Sequence, residues 1–109
     1  MNSIGQVQTP WGVCDVVLAR YTGHGKALAV TLQSPEGEPF GVFSTNIADA
    51  SKLLGEREFF AKTYAENARL VEPMLQSGLF EATDKTVKSA YIDAPIWRIK
   101  DHVTDVPKR

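Results

Sequence analysis

Cysteine occurs once in this chain, as Cys14, which excludes an internal disulfide and any site built from several thiolates. A lone thiol suits a reducing compartment. Histidine occurs twice, as His24 and His102, at no spacing that a metal centre uses. No apolar run approaches the roughly 20 residues that cross a bilayer as a helix. Met1-Asn2-Ser3-Ile4-Gly5-Gln6 carries neither a basic segment nor an apolar one, so no secretory leader is expected and the expected compartment is the cytoplasm. Charge of one sign is also missing. Lysine and arginine total 12 against 13 acidic residues, and residues 56–109 hold nine of each. Such a balance gives no strong field toward phosphate backbones or anionic lipid.

What is present is apolar alternation. At 109 residues and 43% hydrophobic, the chain fits a single domain with a real core. Turn signals at Thr9-Pro10-Trp11-Gly12, Thr22-Gly23-His24-Gly25-Lys26 and Ser34-Pro35-Glu36-Gly37-Glu38-Pro39 separate β-prone runs. These runs are Ile4–Gln8, Gly12–Tyr21, Ala27–Gln33 and Phe40–Asn46, and loops this short favour antiparallel neighbours. Leu28, Val30 and Leu32 share one face, as do Cys14, Val16 and Leu18; Phe40 and Val42 separate from Phe43.

Arg57–Tyr64 reads as a further strand in which the adjacent Phe59 and Phe60 must point to opposite faces. One face meets the core; the other needs cover, or a second copy in a homodimer. The main helix lies in Ala65–Ser77, with Leu70 and Met74 at i, i+4 and Gly78 at its end. Pro73 must kink it or start a second turn. Leu79–Thr83 and Thr86–Ser89 flank a turn at Asp84-Lys85. Ala90–Lys100 closes the fold, with Tyr91, Trp97 and Ile99 opposite Ile92 and Ile96, and Pro95 marks an edge or bulged strand. The expectation is α+β: a twisted antiparallel β-meander of about five to seven strands packed against one main α-helix. Residues 1–100 form the domain, and 101–109 a flexible polar tail.

No polar set looks assembled for bond-making. Cys14 with His24 is the sole thiol–imidazole pair, yet Cys14 alternates as a small core residue and His24 sits between turn glycines. Glu36 with Glu38, and Glu56 with Glu58, read as solvated carboxylates rather than a pair with separated acidities. Gly23-His24-Gly25 lacks the helix and lysine of a phosphate loop. No catalytic residue, metal site or cofactor is therefore expected. For binding, the aromatics with polar handles, Trp11 and Trp97, stand out beside Tyr64, Glu66, Asn67 and Arg69 at the sheet–helix junction. Within that segment Asn67 also reads as a helix cap. Trp11, in a turn, is expected to be partly exposed.

A set of motifs adds to this. Thr9-Pro10-Trp11-Gly12, Val16-Val17-Leu18-Ala19-Arg20-Tyr21 and Gly37-Glu38-Pro39 lead to Ser44-Thr45-Asn46-Ile47. Glu58 to Asn67, Gly78-Leu79-Phe80 and Pro95-Ile96-Trp97-Arg98 follow. Taken together they resemble a domain-of-unknown-function family of small proteins from bacterial plasmids and integrative elements, over residues 10–99. Ala65 departs from the serine of that pattern. The resemblance implies no catalytic residues, and a genomic setting in which small proteins interfere with host defence or regulate transfer. The resulting expectation is a non-catalytic protein-binding module of a mobile genetic element, an inhibitor of a host defence complex in the anti-CRISPR or anti-restriction manner. One alternative is a nucleic-acid-associated accessory protein that gathers Arg57, Lys62, Arg69, Arg98 and Lys100. A third is a small enzyme built on Cys14 and His24.

Overall fold

The structure is a computed structural model and describes residues 3–22, 26–88 and 93–108. Strands β1 (Ser3–Thr9), β2 (Gly12–Arg20), β3 (Leu28–Gln33) and β4 (Pro39–Val42) form one antiparallel meander in that order. β5 (Ser44–Thr45), β6 (Glu58–Ala61), β7 (Phe80–Lys88) and β8 (Asp93–Ile99) form a second antiparallel sheet, ordered β5-β6-β8-β7. A 3₁₀ segment, Ala48–Leu53, lies between β5 and β6. A second, Ala65–Leu70, runs directly into α1 (Val71–Gln76). The class is α+β with antiparallel sheet. The strands divide between two four-stranded sheets where the sequence reading placed about five to seven in one.

The alternation assigns the faces. Cys14, Val16 and Leu18 of β2 join Leu28, Val30 and Leu32 of β3 in the main core, against Phe59 of β6 and Trp97 and Ile99 of β8. Leu70 and Met74 of the helical segment complete it. Phe60 points the other way, as a strand requires, into a second cluster with Ala27, Leu54, Ala94 and Ile96. Both phenylalanines are fully buried, so the chain covers Phe60 itself and no symmetry mate is needed there.

Four local expectations are adjusted. Pro73 falls at the third residue of α1, where a missing N–H has no intrahelical partner to lose, and the 3₁₀ turn gives way to α-helix just before it. Pro95 lies on an interior strand, but β8 pairs with β6 only from Ile96 to Arg98, so its missing N–H breaks no bond to β6. Opposite it, β7 is one strand with an irregular register between Ala82 and Thr86 rather than two strands about a turn. Tyr91 and Ile92 lie outside the described residues. The expected loose tail is partly docked: Val103 is buried in the main core. The Arg20 guanidinium donates to the Pro107 carbonyl from Nε at 3.1 Å and Nη2 at 2.7 Å.

The chain crosses from one sheet to the other at Phe43. Its N–H donates to the Val30 carbonyl at 2.8 Å, while its own carbonyl accepts from Lys62 N–H at 3.0 Å. The ring lies 5.0 Å from Trp97, centroid to centroid. Beside it the buried Ser44 hydroxyl accepts the Val30 N–H at 2.9 Å and bonds the Tyr21 hydroxyl at 2.9 Å. Removing that hydroxyl leaves a buried amide without a partner. Ser44→Ala should therefore lower unfolding stability by about 1–3 kcal/mol in urea titration; a change within experimental error would show that the Val30 amide is satisfied otherwise.

Candidate functional site

Trp11 owes its position to Thr9. The Thr9 hydroxyl accepts the Trp11 N–H at 3.1 Å and donates to the Gly12 carbonyl at 2.6 Å, closing the β1–β2 turn. Gly12 follows at φ +126°, a conformation that side chains avoid. The indole is thereby held outward, 54% exposed, with its ring centroid 5.9 Å from that of Phe40. Phe40 and Val42 occupy β4, the last strand of its sheet, and are 41% and 43% exposed. Pro39 opens that strand, a placement typical of sheet edges.

Behind this apolar ridge runs a groove of about 310 Å³, walled by Trp11, Phe40 and Val42 on one side and Glu66, Asn67 and Leu70 on the other. The far wall begins at Ala65, whose φ of +55° is left-handed and costs an alanine about 1–2 kcal/mol. Tyr64 precedes the turn with no side-chain cap. Asn67 is not the cap either. Its buried amide donates to the Val42 carbonyl at 2.7 Å and the Lys62 carbonyl at 2.9 Å, so one side chain fastens the 3₁₀ segment to the edge strand and to the end of β6.

The six residues singled out by sequence separate accordingly. Trp11, Glu66 and Asn67 line the groove. Tyr64 is half-buried beside it, with Lys62 Nζ 5.9 Å from its ring centre. Arg69 is exposed and does not line it. Trp97 is corrected outright: at 3% exposure it is a core residue between Phe43 and Phe59, on the buried face of an interior strand. Phe40, Val42 and Leu70 were not singled out, although Pro39 ahead of an alternating Phe-Gly-Val already marked an exposed edge.

Elsewhere charge is matched rather than massed. Arg98 pairs with Glu81 at 3.0 Å and with Asp101; Lys85 pairs with Glu58 at 2.7 Å and Lys62 with Glu66 at 2.7 Å. Arg57 donates to the Lys100 carbonyl at 2.9 Å. Of the five basic residues considered for nucleic acid, Arg57, Lys62 and Arg98 are thus engaged within the fold. Burial of Glu58 alone would raise its pKa, but hydrogen bonds from Lys85 and the Gly55 N–H, with the charges of Lys85 and Arg98, outweigh that and lower it. Burial pushes the Cys14 thiol up and away from the reactive thiolate, against a smaller opposing hydrogen bond with Thr9. His24 lies outside the described residues. Among the described residues no three His, Cys, Asp or Glu side chains converge as a metal site would require. None of their helices is long and apolar enough to cross a membrane.

Two outcomes test this geometry. Asn67→Ala removes both donors and should cost about 1–3 kcal/mol. Asn67→Asp should cost more at neutral pH, because it sets a carboxylate against two carbonyl oxygens; equal losses by thermal denaturation would contradict the assigned bonds. For Glu58 the folded pKa is depressed, so its contribution is present above the ordinary carboxylate range and is lost as pH falls through the folded value. Glu58→Gln should therefore show a shallower decline in stability between about pH 5 and pH 3 than the parent chain.

Comparison of the chain with family models, curated proteins and solved structures finds no match.

Proposed function

We propose that this protein is a non-catalytic protein-binding module that engages its partner through Trp11, Phe40 and Val42 and the groove behind them. The observation that carries this reading is the exposure of two neighbouring aromatic rings, Trp11 in the β1–β2 turn and Phe40 on the edge strand β4. Large aromatics in the open cost solvation free energy, and they dominate binding energy where they become buried at an interface. The groove adds depth, and its geometry is held by buried hydrogen bonds rather than by loose loops. The raised Cys14 pKa and the internally paired charges favour binding over chemistry at a thiol or a carboxylate pair.

The setting we favour is a bacterial mobile genetic element, with a host defence complex as the class of target, the protein acting in the cytoplasm by occupying a surface. This follows the resemblance in Thr9–Gly12, Glu58–Asn67 and Pro95–Arg98. The test is co-purification from a plasmid-bearing host with the parent chain and with Trp11→Ala/Phe40→Ala. The expected outcome is a stoichiometric protein partner bound by the parent chain and weakened at least tenfold by the double substitution, with unfolding stability within about 1 kcal/mol of the parent because both side chains are substantially exposed. A partner retained undiminished by the variant would move the interface elsewhere.

A further inference from the structure

The groove is more selective than an apolar slot. Trp11 and Phe40 stand on one side with Val42, Leu70 adds an aliphatic surface on the other, and among the described residues the only charged side chain lining it is Glu66. Lys62 engages one oxygen of that carboxylate, Oε1, at 2.7 Å and does not itself line the groove. The turn leading into β4 carries the exposed Glu36 and Glu38 and no cation. Arg69, the nearby exposed cation, stands outside the groove.

These features match one side chain in particular. A long basic residue lays its methylene stem along apolar surface, sets its cationic head against ring faces and ends on a carboxylate. We infer that the groove receives an arginine or lysine side chain from an extended segment of a partner protein, with Glu66 as the counter-charge and Trp11 and Phe40 as the walls. This rests on the binding-module reading and specifies the chemistry of its partner.

The edge strand tells how the segment lies. Phe43 N–H bonds Val30 and Gly41 faces Leu32, so the backbone of Val42 between them points away from β3, where Asn67 takes its carbonyl. The register shift beside Phe40 interrupts that alternation, so it is the Val42 N–H that faces the free edge, and an added extended chain can hydrogen-bond there. A second copy is a poorer occupant. The exposed surface of Trp11, Phe40 and Val42 is on the order of 300 Å², well short of the roughly 800 Å² per partner of a stable interface.

The experiment is selection of a displayed random nonapeptide library on the full chain, counter-selected on Trp11→Ala/Phe40→Ala. Recovered peptides should share an arginine or lysine flanked by apolar residues. Replacing that arginine by citrulline, equal in shape but neutral, should weaken binding at least tenfold. Glu66→Gln should impose a similar loss on the arginine peptide and none on the citrulline peptide, a coupling that mere loss of structure would not produce. Recovered peptides without a basic residue, or no peptide that depends on Trp11 and Phe40, would overturn the inference. So would concentration-dependent dimerisation that Trp11→Ala abolishes, which would seat a second copy in the groove. A co-purified host protein that needs Trp11 and Phe40 but ignores Glu66→Gln would remove this inference and keep the binding-module reading.

Discussion

Phe43 and Ser44 are where the two sheets become one molecule. A strand pair inside either sheet holds only its own neighbours, whereas Phe43 bonds β3 through its N–H and the end of β6 through its carbonyl. Ser44 then meets the Val30 amide, which the crossing would otherwise leave unpaired. Asn67 fastens the same corner from outside by holding the carbonyls of Val42 and Lys62. Buried backbone groups need such partners, and here three neighbouring residues supply them within a few ångströms. The ring of Phe43 against Trp97 fills the space between the sheets at the same point.

The groove depends on that corner. Val42 lends its carbonyl to Asn67 and its side chain to the ridge, so the pinning that joins the sheets also sets the width of the cleft. The left-handed Ala65 lies on the same path and turns the chain so that Asn67 reaches back to Lys62. A serine, expected there from the resemblance, would carry the same backbone penalty, since only glycine adopts that conformation freely. Unfavourable backbone persists where surrounding contacts over-determine it, and such places tend to lie at working surfaces.

Much of the architecture was legible in period-two patterning. The faces of β2 and β3, the division of Phe59 from Phe60 and the pairing of Trp97 with Ile99 all follow from alternation and a buried interior. What alternation does not encode is which sheet a strand joins. Phe40–Asn46 reads as one strand, and its break at Phe43 is decided by hydrogen bonds to Val30 and Lys62, residues distant in sequence. The same limit governs the site. Trp11 announces itself through Pro10 and Gly12, but Trp97, equally aromatic, is buried because its side of β8 faces the core, against Phe43 and Phe59. Asn67 looked like a cap because caps are local, and its actual acceptors lie 25 and five residues away.

The Arg20 clamp on Pro107 has a practical side. Arg20 closes β2 at the end away from Gly12, and nine extended residues separate the two by roughly 25 Å. Guanidinium bonds to the Lys26 and Glu56 carbonyls hold that anchor in place. A fluorophore, surface linker or fusion partner joined beyond Pro107 would therefore leave from the pole opposite the indole, and the aromatic ridge could face solution unobstructed.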